Sequence, residues 1–434
     1  MIAWSLAVYK IISAPIPEAI IPLFSIPIGL LQLPAYLVWS STKNALHRTL
    51  VFPVLAVIIE WIQYSFTPFA SWGVAAYTQV DQPALSQSVA LFGLAGLGFV
   101  IYWVNAVVAE VILYKRYRMA IAPTCMLVLA LLWGDYRLDK GRSIAQRMMT
   151  VAAVGTDSDI GGLPLPTAEE NEADIRGIFE RTQQAAHLGA ELVVWNEAGF
   201  MLLPDQEEAW QDSIRALAAA CKTSIMAAYV VPFHSPQFHY ENKYILVSAD
   251  GTIHQEYLKH EPVPGEPAIC GVSKQTTTLI GDVRVGGAIC YDYDFPYIAK
   301  DNDLNGADVV GLPSSDWRGI DPIHTQMAAF RAIEQGQSVV RSTRFGLSAA
   351  ITPYGVMNAQ MSSFNDDGKL MVAQVPSQSI QTLYSIIGDL FVWLCIGGLL
   401  GVWLLQVARR KMISVGVLGL GAKVDSAERL KSKD

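Results

Sequence analysis

Three segments of the 434-residue chain end a β-like run in a side chain suited to acyl transfer. The run LVVWN leads into Glu197, the second strand of a hairpin into Lys259, and VGGAI into Cys290. A carboxylate that takes and returns a proton, an ammonium beside a developing oxyanion, and a thiol that becomes a thiolate form a complete set for thioester chemistry. The thiol needs the base, because a free cysteine is mostly protonated near neutrality. Taken singly, each residue has a plainer reading: Glu197 a strand-end surface acid, Lys259 a solvated lysine, Cys290 a small buried hydrophobe. Spacing alone does not separate the two readings.

Other chemistries are less coherent. Ser314, Ser315 and Asp316 cluster, but no histidine has a triad-like context. His234 and His239 lack a third ligand signal, and the five cysteines show no CxxC, so neither a metal site nor a disulfide framework is expected. No cofactor motif is present, and the thioester route needs none. A net charge of −8 with no basic stripe argues against nucleic-acid binding.

The elements that must position the trio lie between Thr150 and about residue 377. VAAVGTD, ELVVWNEAGF (191–200) and SIMAAYVV read as strands, with helical periodicity over Glu169–Leu188 and Glu207–Ala220 between them. Asp250-Gly251 marks a hairpin turn inside 243–260. VRVGGAICYD, ADVVGLPSSDW and SVVRSTRFGLSAAITPYG supply further strands, with a helix over Pro322–Gln335. This alternation predicts a layered α/β domain whose sheets are covered by helices.

On either side of that domain the chain is apolar, and 52% of it is hydrophobic. Ala19–Trp39 has 21 residues without a charge, Val89–Tyr114 has 26 with only Glu110, and Leu383–Val407 has 25 with only Asp389. Each spans about 30 Å of hydrocarbon. Thr49–Tyr64 and Met119–Gly134 complete five expected spans; a sixth, within Met1–Ala14, is short and carries Lys10. The organisation expected is N-terminal transmembrane helices over 1–135, a catalytic domain over 150–377, a final transmembrane helix over 383–407 and a cytoplasmic tail over 408–434. Lys43, Arg48, Lys115, Arg116, Arg118, Arg409, Arg410 and Lys411 mark the inner side, which places Ser65–Ser88 and the middle domain outside. Arg137, Lys140, Arg142 and Arg147 run against that assignment. Gly93, Gly96, Gly98, Gly397 and Gly401 suggest close helix packing, and Glu60 and Glu110 either a polar cavity or an interfacial position.

WNEAGF, EYLKHEPVPGE and GGAICYDYDFP together resemble the glutamate, lysine and cysteine motifs of the nitrilase superfamily of carbon-nitrogen hydrolases, in that family's order. PFASWGVAAYTQ (68–79) resembles an aromatic loop of the superfamily's membrane-embedded branch, the bacterial apolipoprotein N-acyltransferases. The resemblance implies a multi-span α-helical membrane bundle plus an α-β-β-α sandwich on the periplasmic side of the bacterial inner membrane. It implies Cys290 as nucleophile, Glu197 as general base and acid, and Lys259 as oxyanion stabiliser helped by the N–H of Tyr291, with Glu266 orienting the site and Asp292 holding its shape. A phospholipid would donate the acyl chain and a lipoprotein's N-terminal cysteine, or another amine, would accept it. The alternative is a membrane-anchored amidase using water; a third reading is a non-catalytic relative that binds a lipid or a partner protein. Asn196, Asp292, the shortened KHEPVPGE and SSDWRG (314–319) depart from the branch's pattern around the parts that select substrate.

Overall fold

The computed structural model describes residues 8–12, 17–143, 147–158, 160, 164–234, 237–365 and 369–408. Most of the sixth expected span, the cluster Arg409, Arg410 and Lys411, the tail beyond Ala408 and the side chain of His234 lie outside the described residues. Five helices among them are long and apolar enough to cross a membrane: Glu18–Ser41, Ala45–Phe66, Val89–Tyr114, Tyr117–Arg142 and Leu390–Ala408. The α-helical parts of the first four are α1 (Ile21–Ser41), α2 (Ala45–Phe66), α3 (Val89–Tyr114) and α4 (Ile121–Ser143).

Twelve strands form the middle domain: β1 (Met148–Val154), β2 (Leu192–Trp195), β3 (Ser224–His234), β4 (Phe238–Val247), β5 (Ile253–Leu258), β6 (Thr278–Ile280), β7 (Val283–Gly287), β8 (Val309–Ser315), β9 (Ser338–Arg344), β10 (Leu347–Ile351), β11 (Met357–Ser362) and β12 (Leu370–Pro376). They make two six-stranded sheets, ordered β12-β1-β2-β3-β4-β5 and β11-β10-β9-β8-β7-β6. In each, three strands run parallel, β1-β2-β3 and β7-β8-β9. These parallel strands read as near-continuous apolar runs because both of their faces are covered. Val151, Val194 and Met226 from one sheet meet Val285, Val309 and Val340 from the other, all fully buried. Each such side chain contributes roughly 1.5–3 kcal/mol. Gly311 permits the close approach, since a Cβ there would run into the sulfur of Met226.

Helices cover the outer faces. α5 (Ala168–His187) and α6 (Glu207–Cys221) lay Ile175, Ile178, Ile214 and Leu217 against Val193 and Trp195 of the first sheet. Thr167 and Glu170 start α5 with a reciprocal capping box. α7 (Pro296–Leu304) and α8 (Ile323–Gln335) cover the second sheet through Ile298, Ala299, Ala328 and Ala332. The result is the expected α-β-β-α sandwich. The strand expected over 191–200 stops at Trp195, because the chain turns sharply at Ala198, whose φ is +48°.

Where the sandwich meets the membrane helices, the structure departs from uninterrupted spans. The run expected as one final helix begins as a short α9 (Leu383–Ile387), breaks at Gly388 with φ +54°, and resumes as α10 (Leu390–Ala408). α3 also breaks, at Phe92 and Gly93, and the freed N–H of Leu94 donates to Glu334 Oε1 at 2.8 Å. The Tyr384 ring occupies the space a Gly93 Cβ would need, 2.5 Å away. Glu334 also pairs with buried Arg331 at 2.7 Å.

The two span carboxylates are buried and have polar partners. Glu60 accepts from the Ala75 N–H and the Tyr102 hydroxyl; Glu110 pairs with Arg48 and Arg116. Arg137 does not report topology, because it donates to Gln87 and lies over the Tyr354 ring of the sandwich, 5.0 Å from its centroid. Gly98 packs against Val57 and Glu60 as a small-residue contact should. Gly397 and Gly401 do not: no described atom stands within 4 Å of a Cβ built there.

Candidate active site

Glu197 lies two residues beyond β2 and is tied to the opposite sheet by its N–H, which donates to Ser314 O at 3.2 Å. Lys259 directly follows β5, and its N–H donates to Asn242 O of β4 at 2.9 Å. These anchors bring the two side chains together in the interior. Lys259 Nζ donates to Glu197 Oε1 at 2.8 Å and to Glu266 Oε2 at 2.7 Å. Asn242 Nδ2 donates to the same two carboxylates at 2.7 and 3.0 Å. Burial alone would favour the neutral amine, but the two carboxylates outweigh it and hold Lys259 well above the usual lysine range. Glu266, which burial would push up, is held below its usual value by that ammonium and by the Val263 N–H.

Cys290 follows β7 by three residues, at the start of a 3-10 turn, Cys290–Asp294. Its φ of +50° is a conformation few non-glycine residues adopt, and such strain concentrates at functional sites. The buried thiol is directed at Ser315 O, 3.3 Å away. Burial and the Glu197 carboxylate push it well above its ordinary value, while Lys259 pulls it down. A thiol so placed rests protonated and must lose its proton as it reacts.

Asp292 faces the backbone. Its carboxylate accepts from the N–H groups of Ile289, His260 and Glu261 and from the Tyr257 hydroxyl, which clamps the Lys259 loop onto the cysteine turn. Asn196 likewise accepts from Thr156 N, so these two departures act on loop positions. Tyr291 sends its hydroxyl to Pro68 O at 2.6 Å, joining the site to the loop between α2 and α3.

An apolar cavity of about 420 Å³ leads away from Cys290. Tyr291, Val263 and Trp72 line it, together with Phe24 and Ile28 of the membrane helix α1. Sequence reasoning missed two parts of this site. Asn242 is an inward polar residue in an otherwise alternating strand, a weak signal. Buried His324 sits between Asp316 and Asp294, with Nδ1 2.7 Å and Nε2 3.1 Å from their carboxylates, and Cys290 lies close beside the pair. Cys290 and Asp294 share one turn, but no spacing in the sequence joins them to Asp316 or His324, which come from two other elements.

Residues 150–384, more than half of the chain, match the carbon-nitrogen hydrolase family model. The chain belongs to the carbon-nitrogen hydrolase family. Residues 2–107 match the apolipoprotein N-acyltransferase N-terminal domain. This carbon-nitrogen hydrolase is 23% identical to an apolipoprotein N-acyltransferase of Borreliella burgdorferi over 402 residues, 82% of this chain and 75% of the relative. It is 23% identical to that of Shewanella oneidensis over 436 residues, 89% and 80% of the two chains. An amidase structure from Nesterenkonia sp. aligns with 54% of this chain and 93% of its own at 17% identity, with a TM-score of 0.43. With five apolar helices joined to its sandwich, this carbon-nitrogen hydrolase is a multi-pass membrane member of the family.

Proposed function

We propose that this protein is a membrane N-acyltransferase, moving an acyl chain from a phospholipid through a Cys290 thioester to an amine, the N-terminal cysteine of a lipoprotein. The apolar cavity from Cys290 to Phe24 and Ile28 carries the reading: a nucleophile joined by apolar surface to a membrane helix suits a lipid donor. The named relatives, which span both parts of the chain, support the same acceptor.

In the first half-reaction Cys290 Sγ attacks the ester carbonyl as its proton passes to Glu197. Lys259 Nζ and the Tyr291 N–H face the oxyanion that forms. The C–O bond then breaks, and Glu197 returns the proton to the departing glycerol oxygen, leaving a thioester and a lysophospholipid. In the second, Glu197 takes a proton from the attacking amine, the C–S bond breaks, and the thiol is reprotonated. Asn242 and Glu266 hold Glu197 and Lys259 in register through both halves. The sandwich lies on the outer side in this reading. Arg48, Glu110 and Arg116 gather at the ends of α2 and α3 remote from the sandwich, as inner-side positive residues should.

The test is intact mass of the purified protein after incubation with a phospholipid carrying a labelled acyl chain, with and without a diacylated lipopeptide. An adduct absent from Cys290→Ala and discharged onto the lipopeptide is expected. Discharge only as free fatty acid would identify the water-using amidase instead, and no adduct would overturn both enzymatic readings.

A further inference from the structure

Cys290 is flanked by a second group of charges that the proposed reaction does not use. Asp316 follows β8, Asp294 closes the cysteine turn, Arg341 lies on β9, and His324 begins α8. All four are nine-tenths or more buried. Arg341 clamps Asp316 with two bonds of 2.8 and 2.9 Å, and His324 bridges Asp316 to Asp294. Cys290 Sγ, a carboxylate oxygen of Asp316 and a ring nitrogen of His324 all lie within 4.8 Å of one another. The loop between α2 and α3 closes the group. Trp72 donates its indole N–H to Asp294 Oδ2 at 2.8 Å and sets its ring 5.5 Å from the imidazole, while Ser71 donates to Asp294 O.

We propose that His324 is a positioning residue for Cys290: its imidazolium completes a neutral set of two cations and two carboxylates beside the sulfur, and Trp72 locks that set from the membrane loop. The balance is one of counted charges. With His324 protonated, His324 and Arg341 cancel Asp294 and Asp316, so the thiolate forms beside a neutral cluster. Without that proton, an uncompensated carboxylate stands near the sulfur and opposes its ionisation. The imidazole has reason to stay charged: burial disfavours it, but Asp294 and Asp316 outweigh burial and Arg341 and lift it to about 9. Asp321 is within electrostatic reach of Asp316 and Arg341, and Lys10 and Arg318 in turn act on Asp321. His324 lines the same cavity as Cys290, so the lock sits where the substrate would enter.

The inference rests on Cys290 as nucleophile but on neither acyl donor nor acceptor, so alkylation by iodoacetamide tests it apart from the proposed transfer. The sulfur displaces iodide and forms a C–S bond, read by mass as a function of pH in the full-length protein in detergent. In His324→Gln alkylation at pH 7.5, where the imidazole of the unchanged protein carries its proton, should be roughly tenfold slower, with an unchanged high-pH plateau. Trp72→Phe should slow it the same way by less, and His324→Lys should restore much of the rate. An unchanged rate at pH 7.5 in folded His324→Gln overturns the proposal, as does an equal loss at pH 7.5 and at the plateau. If His324→Gln does not fold, an unchanged pH 7.5 rate in Trp72→Phe overturns it equally.

Discussion

Glu334 of α8 accepts the N–H of Leu94 at 2.8 Å, so a carboxylate of the sandwich completes the hydrogen bonding of a broken membrane helix. The same carboxylate pairs with buried Arg331, which donates in turn to the Tyr77 hydroxyl of the membrane loop. The sandwich and the helices are therefore joined through buried charge. Glu334→Ala leaves the guanidinium unpaired and should cost about 3–5 kcal/mol. Thermal unfolding in detergent measures it; a loss under about 1 kcal/mol would show that water replaces the carboxylate.

Gly93 sits at φ +65° in the same break, with the Tyr384 ring where its Cβ would lie. Gly93→Ala strains the backbone and pushes the ring away from Asp389, whose carboxylate accepts from both Tyr384 and Trp61. A loss of about 1–3 kcal/mol is expected in the same assay. Alanine at Gly397, which faces open space, should change stability by at most about 0.5 kcal/mol.

Asn242 holds Glu197 and Glu266 at once, and its removal leaves each carboxylate one donor short. Asn242→Ala should lower kcat for acyl transfer by about 10–100-fold, from a lost charge-assisted bond of roughly 1.5–3 kcal/mol. KM for the phospholipid should stay within about twofold, because Asn242 touches Glu197 and Glu266 and does not line the apolar cavity.

The His324 cluster also predicts a pH dependence of stability. The imidazole rises from its ordinary 6.5 to about 9 in the folded protein, so the folded state binds the extra proton between those values. Its contribution is complete below about pH 6.5 and is lost as pH rises through 9, about 3 kcal/mol in all. Unfolding midpoints should therefore fall over this window, and His324→Gln should flatten that part of the slope.

Ile28 of α1 lines the same cavity as Cys290. Ile28→Trp should shorten it and lower kcat/KM for long acyl donors on the order of tenfold relative to short ones. Competition between labelled donors of two chain lengths measures the ratio, and an unchanged ratio would place the acyl chain elsewhere.

Much of this protein was legible in its residues because the signals are local. Uncharged runs near Leu30 and Val100 specify helices long enough to span a membrane, since a single continuous apolar segment satisfies its own backbone in hydrocarbon only as a helix. Apolar strands such as VAAV and LVVW specify sheets covered on both faces, and Asp250-Gly251 specifies its own turn. Glu197, Lys259 and Cys290 stand out because each follows a strand, where side chains collect at the sheet ends, whereas Glu266 came only with the motif resemblance. The tertiary structure decided what depends on contact between distant elements. It turned Asp292 onto the backbone of the lysine loop and set Asn242 between two carboxylates. It broke α3 at Gly93 and set Leu94 against Glu334, 240 residues away, and surrounded His324 with Asp294, Asp316 and Arg341. Burial and pairing are properties of the folded interior: a buried charge is stable only with partners, and those partners are chosen by packing and not by neighbours along the chain.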